Sequence, residues 1–115
     1  MPVEIISRRK ISPATIVFYE GAEHIVTIPI TGFVPLTNYN ASIQFRNLQG
    51  ALMMTFTTTD GTLVISEQSI IMNILPANSI GKSGKGNWQL KIWTSSLDVA
   101  KFDTCDYIIE KATIL

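Results

Sequence analysis

The residues able to do chemistry are few and far apart. The chain holds one histidine, His24, and one cysteine, Cys105. Any Ser-His-Asp arrangement must therefore run through His24, and neither an internal disulfide nor a Cys/His zinc site can be assembled. His24 stands just before the apolar run Ile25 to Ile30, where a surface or edge position suits it better than the role of catalytic base. Cys105 is expected to behave as a small apolar side chain near the last strand. The carboxylates are Glu4, Glu20, Glu23, Glu67, Glu110, Asp60, Asp98, Asp103 and Asp106, and most fall in expected turns or at strand ends, where solvated charges belong. A glycosidase-like pair would need two of them converging on one cleft with separated pKa values. Asp98, Asp103 and Asp106 form a loose acidic cluster without EF-hand spacing. Gly81-Lys82-Ser83 has the ending of a phosphate-binding loop, but Pro76 stands where its first glycine belongs and no helix follows. A hairpin connection is the preferred reading, with Lys82 and Lys85 open to an acidic partner. No enzyme activity, cofactor or metal is expected.

Binding residues are more informative. Arg8-Arg9-Lys10 is a basic run, but three charges make few phosphate contacts and no aromatic residue interleaves them. Protein contact is preferred there to nucleic acid. Nine Lys and Arg balance nine Asp and Glu, so no global field recruits nucleic acid or an anionic membrane. Apolar runs fall well short of the ~20 residues of a spanning helix, and the first ten residues place basic after apolar side chains, the reverse of a secretory signal. A soluble chain made in the cytoplasm is the expectation. Asn40-Ala41-Ser42 fits a glycosylation sequon, which means little without secretion. Trp93, Tyr39, Phe33 and Met53 are of greater interest, because side-chain alternation sets Trp93 and Met53 opposite the expected core positions. There they would serve a protein interface or a sugar-binding surface, or be covered by a second sheet layer.

The elements that must position these residues read as strands. At 115 residues and 12.7 kDa, with 46% hydrophobic and 16% charged side chains and a mean hydropathy of +0.26, the chain forms one domain that buries roughly two thirds of its unfolded surface. Short β-branched and aromatic stretches alternate with turn residues. Strands are expected near Glu23 to Ile30, Tyr39 to Asn47, Ala51 to Thr58, Thr62 to Ile65, Ser69 to Leu75, Asn87 to Thr94 and Asp106 to Ile114. Asp60-Gly61 predicts a two-residue hairpin and Asn47-Leu48-Gln49-Gly50 a second one. Glycine or proline at Gly32, Pro35, Pro76, Gly81, Gly84 and Gly86 punctuates the remainder. Alternation groups Ile43 with Phe45, Leu52 with Met54 and Phe56, Ile70 with Met72 and Ile74, and Trp88 with Leu90 and Ile92, with Trp88 as the core anchor. A helical turn is the alternative for Ser69 to Leu75, and Ser95-Ser96-Leu97-Asp98 resembles a capping box with room for a turn or two of helix. Seven candidate strands in one small domain suggest a sandwich or a barrel, and residues 1–20 read as an N-terminal arm ahead of that domain over 21–115. Its apolar end, Ile16, Val17, Phe18 and Tyr19, either folds back on the sheet or pairs with another chain.

The segment Leu36 to Arg46, followed by Phe56 to Leu63, resembles small β-sandwich domains of bacteriophage tail and baseplate proteins. Ser69 to Ile74, the turn Pro76-Ala77-Asn78, the strand Gly86 to Ile92 and the closing Asp106 to Ile109 continue the likeness, which spans about residues 23–114. Gln89 stands where that family often has an acidic residue, and Cys105 or Asp106 where it has a glycine. The resemblance implies an all-β, immunoglobulin-like antiparallel sandwich of about seven strands. It also implies a non-enzymatic virion component of tail, baseplate, neck or fibre, oligomeric and in contact with other virion proteins. The candidate interface residues are Arg8, Arg9, Ile16, Val17, Phe18, Tyr19, Met53 and Trp93. The alternative is a carbohydrate- or receptor-binding module using Trp93, Tyr39 and the loop Gly81 to Gly86, with a glycan as partner.

Overall fold

A computed structural model describes residues 3–6, 15–30, 39–66, 69–94, 98–101 and 104–111, with the backbone alone for 3–6, 94 and 98–101. Among the described residues ten strands and one helical turn follow in order. They are β1 (Val3–Ile6), β2 (Thr15–Tyr19), β3 (His24–Pro29), β4 (Tyr39–Asn47), β5 (Leu52–Thr57), β6 (Leu63–Ser66), β7 (Ser69–Ile74), α1 (Pro76–Ser79), β8 (Gly84–Thr94), β9 (Asp98–Lys101) and β10 (Cys105–Glu110). The molecule is all-β in two sheets.

The seven-stranded sheet is organised around β8. On one side β4 pairs along it from Tyr39 opposite Thr94 to Asn47 opposite Gly86, and β5 lies beyond β4. On the other side β9 pairs with the C-terminal part of β8 and β10 with its N-terminal part, both antiparallel. Between Lys91 opposite Lys101 and Trp88 opposite Cys105, the β9–β10 segment carries one residue more than β8. The smaller sheet has three antiparallel strands in the order β3-β7-β6.

Both sheets contribute to one core, because each strand alternates apolar and polar positions with period two. Ile43 and Phe45 of β4, Trp88, Leu90 and Ile92 of β8, and Ile70, Met72 and Ile74 of β7 are fully buried, as their alternation predicts. Each such burial contributes about 1.5–3 kcal/mol relative to an exposed side chain. Phe45 sits among aromatic neighbours, edge-on to Tyr107 at 5.1 Å and Phe56 at 5.8 Å and stacked on Trp88 at 6.4 Å. The indole N–H of Trp88 meets no acceptor among the described residues, so shape rather than hydrogen bonding orients that ring. Ser69–Ile74 is a strand and not the alternative helical turn; its buried Ile70, Met72 and Ile74 have the spacing of a sheet face.

The apolar end of the N-terminal segment takes the first of its two expected courses and folds back on the sheet, since β1 runs parallel to β9 and β2 parallel to β10 of the same chain. Ile16 and Phe18 are thereby buried in the core. Three other expectations change. Asp60-Gly61 does not close a hairpin: β5 pairs with β4 and β6 pairs with β7, so the turn carries the chain from one sheet to the other. Leu52 does not join the core face of Met54 and Phe56, because the register shifts at the bulge where Phe45 opposes Met54 but Arg46 opposes Leu52. Leu52 is left 50% exposed, while Met53, expected outside, packs half-buried against the core. Finally, Asp98, the end of the apparent capping box, opens strand β9 rather than a helix; Ser95, Ser96 and Leu97 lie outside the described residues.

Two local devices hold the turns. Buried Ser79 accepts a 2.8 Å hydrogen bond from the Gly21 amide, while the Gly81 amide donates to the Glu20 carboxylate at 3.1 Å, tying the β2–β3 turn to the α1–β8 connection. Gly86 lies opposite Tyr107 in β10 and Asn47 in β4. A Cβ there would overlap the Arg46 carbonyl oxygen and stand 2.6 Å from the Tyr107 ring. The backbone cannot withdraw without breaking the ladder. We expect Gly86→Ala to lower the unfolding free energy by about 3 kcal/mol, the upper end of core overpacking. Gly61→Ala, where the added methyl meets nothing but φ is +83°, should cost about 1–2 kcal/mol. Urea titration of both variants measures the difference.

Candidate functional site

The outer face of the three-stranded sheet is the most unusual surface. Because Val26, Ile28, Ile70, Met72 and Leu63 point into the core, alternation turns Ile25, Thr27 and Pro29 of β3, Ser69, Ile71 and Asn73 of β7, and Val64 and Ser66 of β6 outward. Ile25 is 59% and Val64 53% exposed. Ile71 lies between Thr27 and Val64 in register, so the branched side chains are neighbours. None of these residues is charged. Globular surfaces carry roughly a quarter to a third charged residues, and charge depletion is the mark of an interface centre.

The outer face of the larger sheet differs. There Gln44 and Arg46 of β4 stand opposite Gln89 and Asn87 of β8, and Lys85, Asp106 and Glu110 add charges of both signs. Its apolar part is the β2–β10 border, where exposed Val17 pairs with half-buried Ile108 and exposed Tyr19 follows.

Of the eight candidate interface residues, Val17 and Tyr19 stay available on this surface. Ile16 and Phe18 are used internally, and Met53 packs on the core. Trp93 is half-buried with the Lys91 ammonium 5.7 Å from its ring centroid, a cation–π contact that occupies one ring face. Arg8 and Arg9 lie outside the described residues. The sugar constellation does not come together: Tyr39 and Trp93 sit at one end of β8 and Gly84 at the other, nine residue steps or about 30 Å apart.

The chemistry-bearing residues are engaged in structure. His24 faces the core side of β3 and stacks on Phe18 at 5.5 Å. The amides of Gly81 and Lys82, which a phosphate loop would offer to its ligand, donate instead to Glu20 and to the Ser79 carbonyl. Asp106 accepts from the Asn87 side chain at 3.1 Å; Asp103 lies outside the described residues, as does the side chain of Asp98. Among the described residues no group of three or more His, Cys, Asp or Glu could hold a metal ion, and no helix is long and apolar enough to cross a membrane. The uncharged face of the small sheet carried no motif and could be read only once strand pairing was known. No protein-family model matches the sequence, and no curated protein matches it.

Asp60 is the clearest case of a carboxylate with a structural task. It accepts from the Thr62 hydroxyl at 2.6 Å and the Thr62 amide at 2.9 Å, and these bonds hold its carboxyl below the ordinary value of 3.8. A carboxyl lowered on folding contributes stability that is complete above its unfolded pKa and is lost as pH falls through the folded value. Asp60→Asn keeps an acceptor oxygen but cannot titrate. Its unfolding free energy should therefore fall less steeply than that of the parent below about pH 4, as acid titrations followed by circular dichroism will show.

Proposed function

We propose that the chain is a non-enzymatic structural component of a bacteriophage particle, from tail, baseplate, neck or fibre, acting through contacts with other virion proteins and with copies of itself. The observation that carries this reading is the uncharged outer face of β3-β7-β6, where Val64 stands opposite Ile71 and Ile25 shares the same face. Covering such a face releases water from apolar surface and leaves no charge unpaired. Zero formal net charge removes long-range repulsion between copies. The resemblance of residues 23–114 to phage tail and baseplate sandwiches supplies the biological setting.

We further read the two sheets as an immunoglobulin-like sandwich. The orders β3-β7-β6 and β5-β4-β8-β10 agree with the strand order of a variable-type domain. The inter-sheet disulfide of antibody domains has no counterpart in a chain with one cysteine, and the buried tryptophan lies on β8 rather than on the strand equivalent to β4.

Size decides what kind of assembly this face supports. Three strands about 4.8 Å apart and about 20 Å long present on the order of 300 Å², well below the ~800 Å² per partner of a stable pairwise complex. One such contact does not hold two molecules together in dilute solution. Several contacts per subunit, this face together with the Val17–Tyr19 border, would act together in a closed ring. Ile25→Asp combined with Val64→Asp places two charges on the face without touching the core. When the chain is co-expressed with its virion neighbours, this variant should keep the parent's unfolding midpoint and drop out of the assembled particle. Incorporation at the parent's level would overturn the reading.

A further inference from the structure

We propose that the outer face of the seven-stranded sheet holds a site for a single carboxylate-bearing sugar, independent of the assembly surface. The site is a concavity of about 220 Å³ where β4 and β8 meet the β4–β5 hairpin, lined by Gln44, Arg46, Leu48, Asn87, Gln89 and Thr104 among others.

Its chemistry is that of an incomplete polar network. The Arg46 guanidinium is held in place by the Gly50 carbonyl at 3.1 Å and by the Gln44 side-chain oxygen at 3.2 Å. Two of its five N–H groups are used and three remain. Accepting through oxygen leaves the Gln44 amide nitrogen as a donor. Asn87 donates its nitrogen to Asp106 at 3.1 Å, which leaves its side-chain oxygen as an acceptor. The hairpin that carries Arg46 is itself fixed, since the Asn47 side-chain oxygen accepts from the amides of Gln49 and Ala51. These bonds orient the donors and acceptors before a ligand arrives, which lowers the ordering cost of binding.

Charge and size select the ligand. Among the described residues Arg46 is the only charged one lining the concavity, and no carboxylate among them pairs with it. One guanidinium matches one carboxylate, to which its planar fork can bond twice. A doubly charged phosphate would call for a second cation. The Gln44 donor and the Asn87 acceptor suit hydroxyl groups, which both give and accept hydrogen bonds. Exposed Leu48 offers an apolar wall to the C–H face of a ring. The volume, below the ~300 Å³ at which sites for drug-sized ligands begin, matches one sugar ring.

The test uses the full-length chain labelled with ¹⁵N, titrated separately with glucuronate, galacturonate, N-acetylneuraminate, glucose, acetate and inorganic phosphate. At least one sugar acid should shift the side-chain resonances of Gln44, Asn87 and Arg46 saturably, at least about tenfold more tightly than glucose, acetate or phosphate. Arg46→Gln should weaken that binding about ten- to a hundredfold, the worth of a charge-assisted contact. Asn87→Ala should weaken it while leaving Arg46 and its hairpin in place, and Trp93→Ala should leave it unchanged. Glucose binding as tightly as the acids, acetate binding as tightly as the sugar acids, phosphate preferred over all, or no saturable response to any sugar acid would each overturn the proposal.

Discussion

Strand β8 is the constraint on which the rest of the structure depends. Among the described strands it alone is hydrogen-bonded to three others, β4 along one edge and β9 and β10 along the other. Trp88, Leu90 and Ile92 on its inner face are wholly buried. With a side-chain period of two, slipping β8 by one residue would turn those three side chains to water and bring Gln89 and Lys91 inside. The penalty for that exchange fixes the register of every strand paired with it. Gly86 adds a second lock, for only a residue without a side chain lets Tyr107 and the Arg46 carbonyl approach from either side.

The two outer faces follow from the same register, and they are chemically unlike. Turning Gln89, Lys91 and Asn87 outward gives the larger sheet a polar face of mixed charge, suited to directed hydrogen bonding. The smaller sheet, locked by the burial of Ile70, Met72 and Ile74, turns out an uncharged face suited to being covered. A chain of zero net charge with one polar and one apolar face has no long-range steering of its own. Its contacts are decided at short range, by shape and by water release.

Strand-level organisation was largely legible in the sequence, because burial on one face writes a period of two into the residues themselves. The expected strands at Tyr39 to Asn47, Ser69 to Leu75 and Asn87 to Thr94 correspond to β4, β7 and β8 with small changes at their ends. Legibility ended where pairing, rather than pattern, decides. Met53 and Leu52 exchanged roles because a bulge inserts one residue that no partner strand matches, and a bulge leaves no reliable trace in a short apolar run. Asp60-Gly61 has hairpin chemistry in either setting; whether the strands it joins pair or part depends on β4 and β7, distant in sequence. The N-terminal residues read as an arm because Ile16 and Phe18 find their cover in β10, about ninety residues later.

The candidate surfaces divide in the same way. The residues alone determined that the chain is β-rich, that its chemistry has one histidine and one cysteine to work with, and that Trp88 anchors a core. These are properties of composition and local period, which survive any choice of partner strand. Tertiary structure decided that Ile25, Ile71 and Val64 share a face, that Arg46 meets Gln44 and Asn87, and that Trp93 and Gly84 lie far apart. Each of those facts requires strands separated in sequence to be set side by side in one register, and that register is chosen by the free energy of the whole core rather than by any stretch of the chain.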